Sequence, residues 1–208
     1  MKVYFCAIVG IVAGNIFGQY QLERWGIKDK WRFWLLPLGI ITIFFPGAWL
    51  MRLYDYHILK IIRYWLLMYA LLLLAVLDFK QWIIPNRALL LLLGIRTILL
   101  IPECVVFSQV GIELVISSLT GLFGGGLLFL IAGLIAKKGL GMGDVKLIAV
   151  VGYYLGFRVL MSDLVISLLM TVIGGLINLA VRKAALHSEM PFVPFMAAGT
   201  VITIFLGC

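Results

Sequence analysis

Two aspartates in this chain sit where chemistry explains them better than structure does. Asp78 opens the run Asp78-Phe79-Lys80-Gln81-Trp82-Ile83-Ile84-Pro85-Asn86, and Asp144 closes Gly141-Met142-Gly143-Asp144. Each lies where a long apolar run meets a short polar connection. Ionisable groups at membrane depth are costly and mark functional sites. Two carboxylates in contact cannot both ionise easily, so one proton is shared; one group can then donate and the other accept. Peptide hydrolysis by an activated water needs that pair of roles. Gly141 and Gly143 let the backbone take strained angles and pass close to a substrate chain. Lys80, Gln81, Pro85, Asn86 and Lys146 complete the candidate substrate-binding set around the two acids. Gln81 and Asn86 can hydrogen-bond the carboxylates or a substrate backbone, capping of a helix being the more ordinary role for Asn86. Pro85 ends a turn and starts a helix, where its missing N–H costs nothing.

The elements that must position these residues are membrane helices. Of the 208 residues, 64% are hydrophobic and 12% charged, and the mean hydropathy is +1.15. A soluble domain carries about 25% charged residues. Apolar runs recur at the ~17–25 residues needed to cross a hydrocarbon core, too long for barrel strands and without their two-residue alternation. The expected fold is all-α: a polytopic transmembrane bundle of about eight helices, near 3–18, 33–51, 61–77, 88–101, 112–136, 144–157, 164–181 and 191–207. The first is read as a retained helix, since more membrane protein follows it.

Charge sets the orientation. With the first helix starting outside, 11 of the 17 basic residues fall in inside connections, among them Arg24, Lys80, Arg87, Lys137, Lys146 and Arg182. Lys2, Arg52, Lys60, Arg63 and Arg158 fall outside, the stretch from Arg52 to Arg63 being amphipathic and interfacial. Lysine and arginine favour the cytoplasmic face. Both termini are thus placed outside and both aspartates inside. The net charge of +8 is spent on such anchors; no polar domain presents a basic face to nucleic acid.

Other residues have plainer readings. Glu113 sits at a helix start and Asp163 caps the seventh helix. Gly121 and Gly125 have the small-xxx-small spacing of close helix packing. Pro102 and Glu103 open a turn. Arg96 within an apolar helix needs a partner, and Glu103, seven residues on, is too far for an ordinary helix pair. His57 and His187 are solvated loop residues. Cys6, Cys104 and Cys208 form no Cys-x-x-Cys pair, so no metal site or disulfide framework is expected.

From about Leu71 onward the sequence resembles the type IV prepilin peptidases, membrane aspartic proteases of the Gly-x-Gly-Asp class. The resemblance rests on three motifs in order: Asp78 with Ile84-Pro85-Asn86; Gly141-Met142-Gly143-Asp144-Val145-Lys146-Leu147 with Gly152-Tyr153-Tyr154-Leu155-Gly156; and Pro191-Phe192-Val193-Pro194-Phe195. Gly14-Asn15 echoes a Gly-x-x-x-Asn segment of that family. The resemblance implies one membrane domain over 1–208, with N-terminal helices and a short cytoplasmic connection in 1–70 and the peptidase core in 71–208. It implies that Asp78 and Asp144 catalyse removal of the short basic leader from pilin-like or pseudopilin precursors. The cut falls on the cytoplasmic side of the cell membrane, without a cofactor. Lys80 and Lys146 are anchors first and partners for a substrate glutamate second. Larger family members also methylate the new N-terminus with S-adenosylmethionine, and often carry two Cys-x-x-Cys pairs between their first two helices. Here Gln19 to Arg32 is short and has no cysteine, which puts methyl transfer in doubt. The oligomeric state is left open. Two alternatives stand beside the peptidase: an ion-coupled small transporter using the paired acids, and an intramembrane protease of another Gly-x-Gly-Asp branch.

Overall fold

The structure is a computed structural model that describes residues 15, 18–21, 23, 54, 56–136, 141–182 and 191–207. Among the described residues it is built from six helices and no strand: α1 (Ile58–Gln81), α2 (Asn86–Val106), α3 (Gly111–Ala136), α4 (Met142–Leu155), α5 (Phe157–Arg182) and α6 (Val193–Phe205). They match the last six of the expected helices; the first two fall almost wholly outside the described residues, as do Cys6, Cys208 and His187. Four of them, α1, α2, α3 and α5, are long and apolar enough to cross a membrane.

The bundle is built around α1. Its Leu67, Met68, Leu71, Leu74 and Leu77 are essentially inaccessible, and it packs on α2, α4 and most closely on α6. By contrast α2, α3 and α5 expose large apolar side chains, Ile98, Phe123, Leu134, Val165 and Leu176 among them. Such a surface suits hydrocarbon and is wider than a soluble monomer tolerates. The tightest packing joins α3 to α4 through glycine. A Cβ built on Gly121 would run into the Gly152 carbonyl oxygen, and one on Gly152 into that of Gly121. Gly124 and Gly125 make room for Phe157 and Leu160. With little hydrophobic drive between helices in lipid, this close approach supplies the dispersion contact.

The joints follow from local chemistry. The His57 side chain caps α1, its Nδ1 accepting from the Leu59 N–H at 3.4 Å, so it is a helix cap as well as an exposed residue. α4 and α5 meet at a single residue, Gly156, whose φ of 82° other residues rarely adopt. Pro102 does not open a turn; it lies inside α2, which runs to Val106. Asp163 is no cap either. α5 starts at Phe157, which puts Asp163 inside the helix, fully buried, where the Ser167 and Thr200 hydroxyls donate to its carboxylate at 3.3 and 3.1 Å.

Arg96 also finds its partner. It is fully buried, its Nη1 donating to Glu103 Oε2 at 2.8 Å, Nη2 to Ser118 Oγ at 3.1 Å and Nε to the Tyr153 carbonyl at 3.2 Å. Seven residues are two helical turns, so Arg96 and Glu103 share a face, and the long arginine stem spans the gap. Arg63 reaches the same Oε2 at 3.2 Å. It belongs to the buried face of α1 and not to an interfacial stretch.

Candidate active site

Asp78 does not open a polar loop; it lies in the last turn of α1 and is 6% exposed. The helix ends four residues later because Trp82 takes a left-handed conformation with φ 56°, its N–H closing on the Asp78 carbonyl at 3.0 Å. Residues 83–85 leave the helix, Pro85 being extended, and a proline biases the residue before it to the same region. Pro85 is the N-cap of α2 and forms no side-chain cap bond. Asn86 is the first helical residue and caps nothing. Its Oδ1 instead accepts from Lys146 Nζ at 3.1 Å, a bond that ties the start of α2 to α4.

Asp144 enters from α4, in the first turn of a 14-residue helix that at about 21 Å is too short to cross a bilayer alone. Gly141 is the N-cap, its carbonyl accepting the Asp144 N–H at 3.0 Å. Neither glycine before Asp144 has positive φ: Gly141 sits at −72°, and among the described residues only Gly156 and Gly207 are glycines in the left-handed region. They are needed for space. A Cβ on Gly141 would come 3.3 Å from Asp144 Oδ2, and one on Gly143 would come 3.3 Å from the Ile84 side chain. The two motifs therefore interlock, Ile84 seating against Gly143 and Asn86 against Lys146.

The two carboxyl groups are close enough to feel each other. Burial, then the neighbouring Asp78 charge, pushes the Asp144 carboxyl up to about 6, against a lowering bond from the Gly141 backbone. A third element reaches the site. The N-terminus of α6 faces Asp78, the Val193 N–H donating to Asp78 Oδ2 at 3.1 Å across 115 positions of chain. The first N–H groups of a helix have no internal acceptor, and the helix dipole favours an anion there. Pro191-Phe192-Val193-Pro194 thus acts through its backbone, which is why no side chain in it stood out as a site residue. Lys80 and Gln81 close α1 beside Asp78, both exposed. Among the described residues, no three His, Cys, Asp or Glu side chains gather to hold a metal ion.

Residues 65–179, the stretch holding both acids, match the profile of the type IV leader peptidase family. The chain belongs to that family. It is 29% identical over 137 residues to a prepilin leader peptidase/N-methyltransferase of Bacillus subtilis, covering 66% of this chain and 52% of the relative. Over 71 residues it is 35% identical to proteins of the same name from Pseudomonas putida and Pseudomonas aeruginosa, covering 34% of this chain and 25% and 24% of theirs. The chain spans about half the length, or less, of the curated relatives it matches. No solved structure matches it. As a member of the type IV leader peptidase family, it combines a peptidase sequence signature with helices fit for a membrane.

Proposed function

We propose that the chain is a membrane aspartic endopeptidase that cuts the short basic leader from type IV pilin-like precursors, at the cytoplasmic face of the cell membrane. The observation that carries this reading is the packing of the two aspartate motifs on each other: α1 lies against α4, Ile84 sits at Gly143 and Asn86 is bonded to Lys146, which brings Asp78 near enough to raise the Asp144 pKa. Lysine and arginine in the connections on the aspartates' side support the cytoplasmic placement.

The mechanism is shared-proton acid–base catalysis. We assign the base to Asp78, which accepts the Val193 N–H at 3.1 Å, and the acid to Asp144. Asp78 then takes a proton from the attacking water while Asp144 donates to the scissile carbonyl, and the pair resets as the amine leaves. Gly141 keeps a side chain out of the space beside Asp144 Oδ2, where an extended substrate backbone would pass, Gly143 seats Ile84, and Lys80 and Lys146 offer positive charge to a substrate glutamate. Cleavage on this scheme needs only water. Methyl transfer, which appears in the relatives' names, has no step in it.

The test is co-expression with pilin-like precursors, cleavage being read by mass. Asp78→Asn and Asp144→Asn should each lower cleavage by about 10²–10⁴-fold, the range of positioned acid–base groups, while the protein still inserts. Undiminished processing by either variant would sink the assignment. Proton or solute flux without cleavage would favour the transporter instead.

A further inference from the structure

At the end of the bundle away from Asp78, a second polar cluster faces a cavity of about 450 Å³ bordered by α1, α2, α3, the end of α4 and α5. Among the described residues its charges do not balance. Lys60 and Arg63 line the cavity with Glu103, and Arg96 bonds the same Glu103 carboxylate from behind. Three cations thus stand around one acid, and among the described residues no other acid lines the cavity. Arg63 Nε is buried without a hydrogen-bond partner, and so is Glu103 Oε1. Excess buried charge is costly unless an anion offsets it. Lys60 is held at the mouth by its ammonium, 3.7 Å over the Tyr56 ring.

The depth of the cluster selects the class of anion. Lys60 lies in the first turn of α1 and Asp78 in the last, about 27 Å apart along the axis, so the cavity opens at the opposite leaflet boundary. Tyr54 stacks on Tyr56 and His57 packs edge-on to Phe107 there, as aromatic residues do at lipid headgroups. Below the charges the wall turns apolar, with Leu114, Leu155 and Val159. A soluble anion has no use for that wall; an acyl chain does.

We propose that this cavity binds an anionic phospholipid from the leaflet opposite the aspartates, its phosphate on Lys60 and Arg63 and the start of an acyl chain along the apolar wall. The assignment is independent of the peptidase reading. Its test is native mass spectrometry of the full chain from nanodiscs of mixed phosphatidylglycerol and phosphatidylcholine, repeated with inorganic phosphate added. Phosphatidylglycerol should be retained in preference. Lys60→Gln, which leaves the Arg63–Glu103 bond intact, should weaken that preference about fivefold, and Arg63→Gln by at least as much, the effect expected per basic residue at an anionic lipid surface. Equal retention of the two lipids, or a preference unchanged in both variants, would overturn the site. Displacement of phosphatidylglycerol by millimolar phosphate would overturn the lipid as its source.

Discussion

At the scale of single residues, the environment of Asp144 sets a pH dependence. Its carboxyl is pushed up to about 6 by burial and by Asp78. The proposed mechanism works with one proton on the pair, so kcat/KM should fall as pH rises through about 6 and that proton leaves. A bound precursor expels water and raises the midpoint further, so the alkaline limb of kcat should lie above that of kcat/KM. Stability carries the same sign. A carboxyl with a raised folded pKa contributes stability that is full below the ordinary value of 3.8 and is lost as pH rises through about 6. Asp144→Asn cannot ionise, so its thermal midpoint in detergent should change less than the parent's between pH 5 and 8. An equal slope for both proteins would show that Asp144 titrates elsewhere. These two acids were legible in the sequence because a charge beside an apolar run has no cheap structural excuse. The bond from Val193 was not, because a backbone N–H leaves no mark on residue type.

At the scale of elements, the contribution of α6 to the site can be separated from its packing. Val193 is the first residue of that helix. Val193→Pro deletes the N–H that holds Asp78 and also crowds Phe192, whose αR conformation a following proline disfavours, so the rate is read per folded molecule. A hydrogen bond to a charged group is worth about 1.5–3 kcal/mol, so cleavage per folded molecule should drop about 10–100-fold. Val193→Ala keeps the N–H and should lose stability with little loss of rate; equal rates in the two variants would remove the bond from the mechanism. The α3–α4 contact offers a second contrast. Gly121→Ala drives a methyl into the Gly152 carbonyl and should cost about 1–3 kcal/mol. Gly94→Ala, with nothing within 4 Å, should gain up to about 1 kcal/mol of helix propensity. Chemical unfolding in detergent distinguishes the two. The spacing of Gly121 and Gly125 announced a close packing face, whereas the partner helix came only with the coordinates. Helix ends were legible where proline breaks the pattern, as at Pro85; the joint at Gly156 was not, since α5 starts at Phe157, seven residues before the expected start. They were misread at Pro102 and Asp163, where tertiary partners carry the helix through.

At the scale of the whole molecule, the bundle holds two polar centres at opposite ends of α1, and only one declares itself in sequence. Asp78 and Asp144 stand in motifs. Arg63, Arg96 and Glu103 stand singly in apolar text; Arg96 and Glu103 share a face of α2 two turns apart, but Arg63 joins them only because α1 lies against α2, a relation no local pattern encodes. The cluster should nevertheless dominate stability. Glu103 is the shared acceptor of both arginines, at 3.2 and 2.8 Å. Glu103→Gln keeps the shape and removes the charge, leaving two buried guanidinium groups without an anion. Breaking a buried ion pair from one side costs about 3–5 kcal/mol, which should appear as a lower thermal midpoint and a smaller folded yield. Arg63→Met in that background removes one of the stranded cations and should recover part of the loss, since groups in one network couple by about 0.5–3 kcal/mol. Arg96 keeps Ser118 and the Tyr153 carbonyl in either variant, so recovery should be incomplete. Additive losses in the double variant would mean that Arg63 and Glu103 do not act as a pair, and that α1 and α2 are joined by their leucines alone.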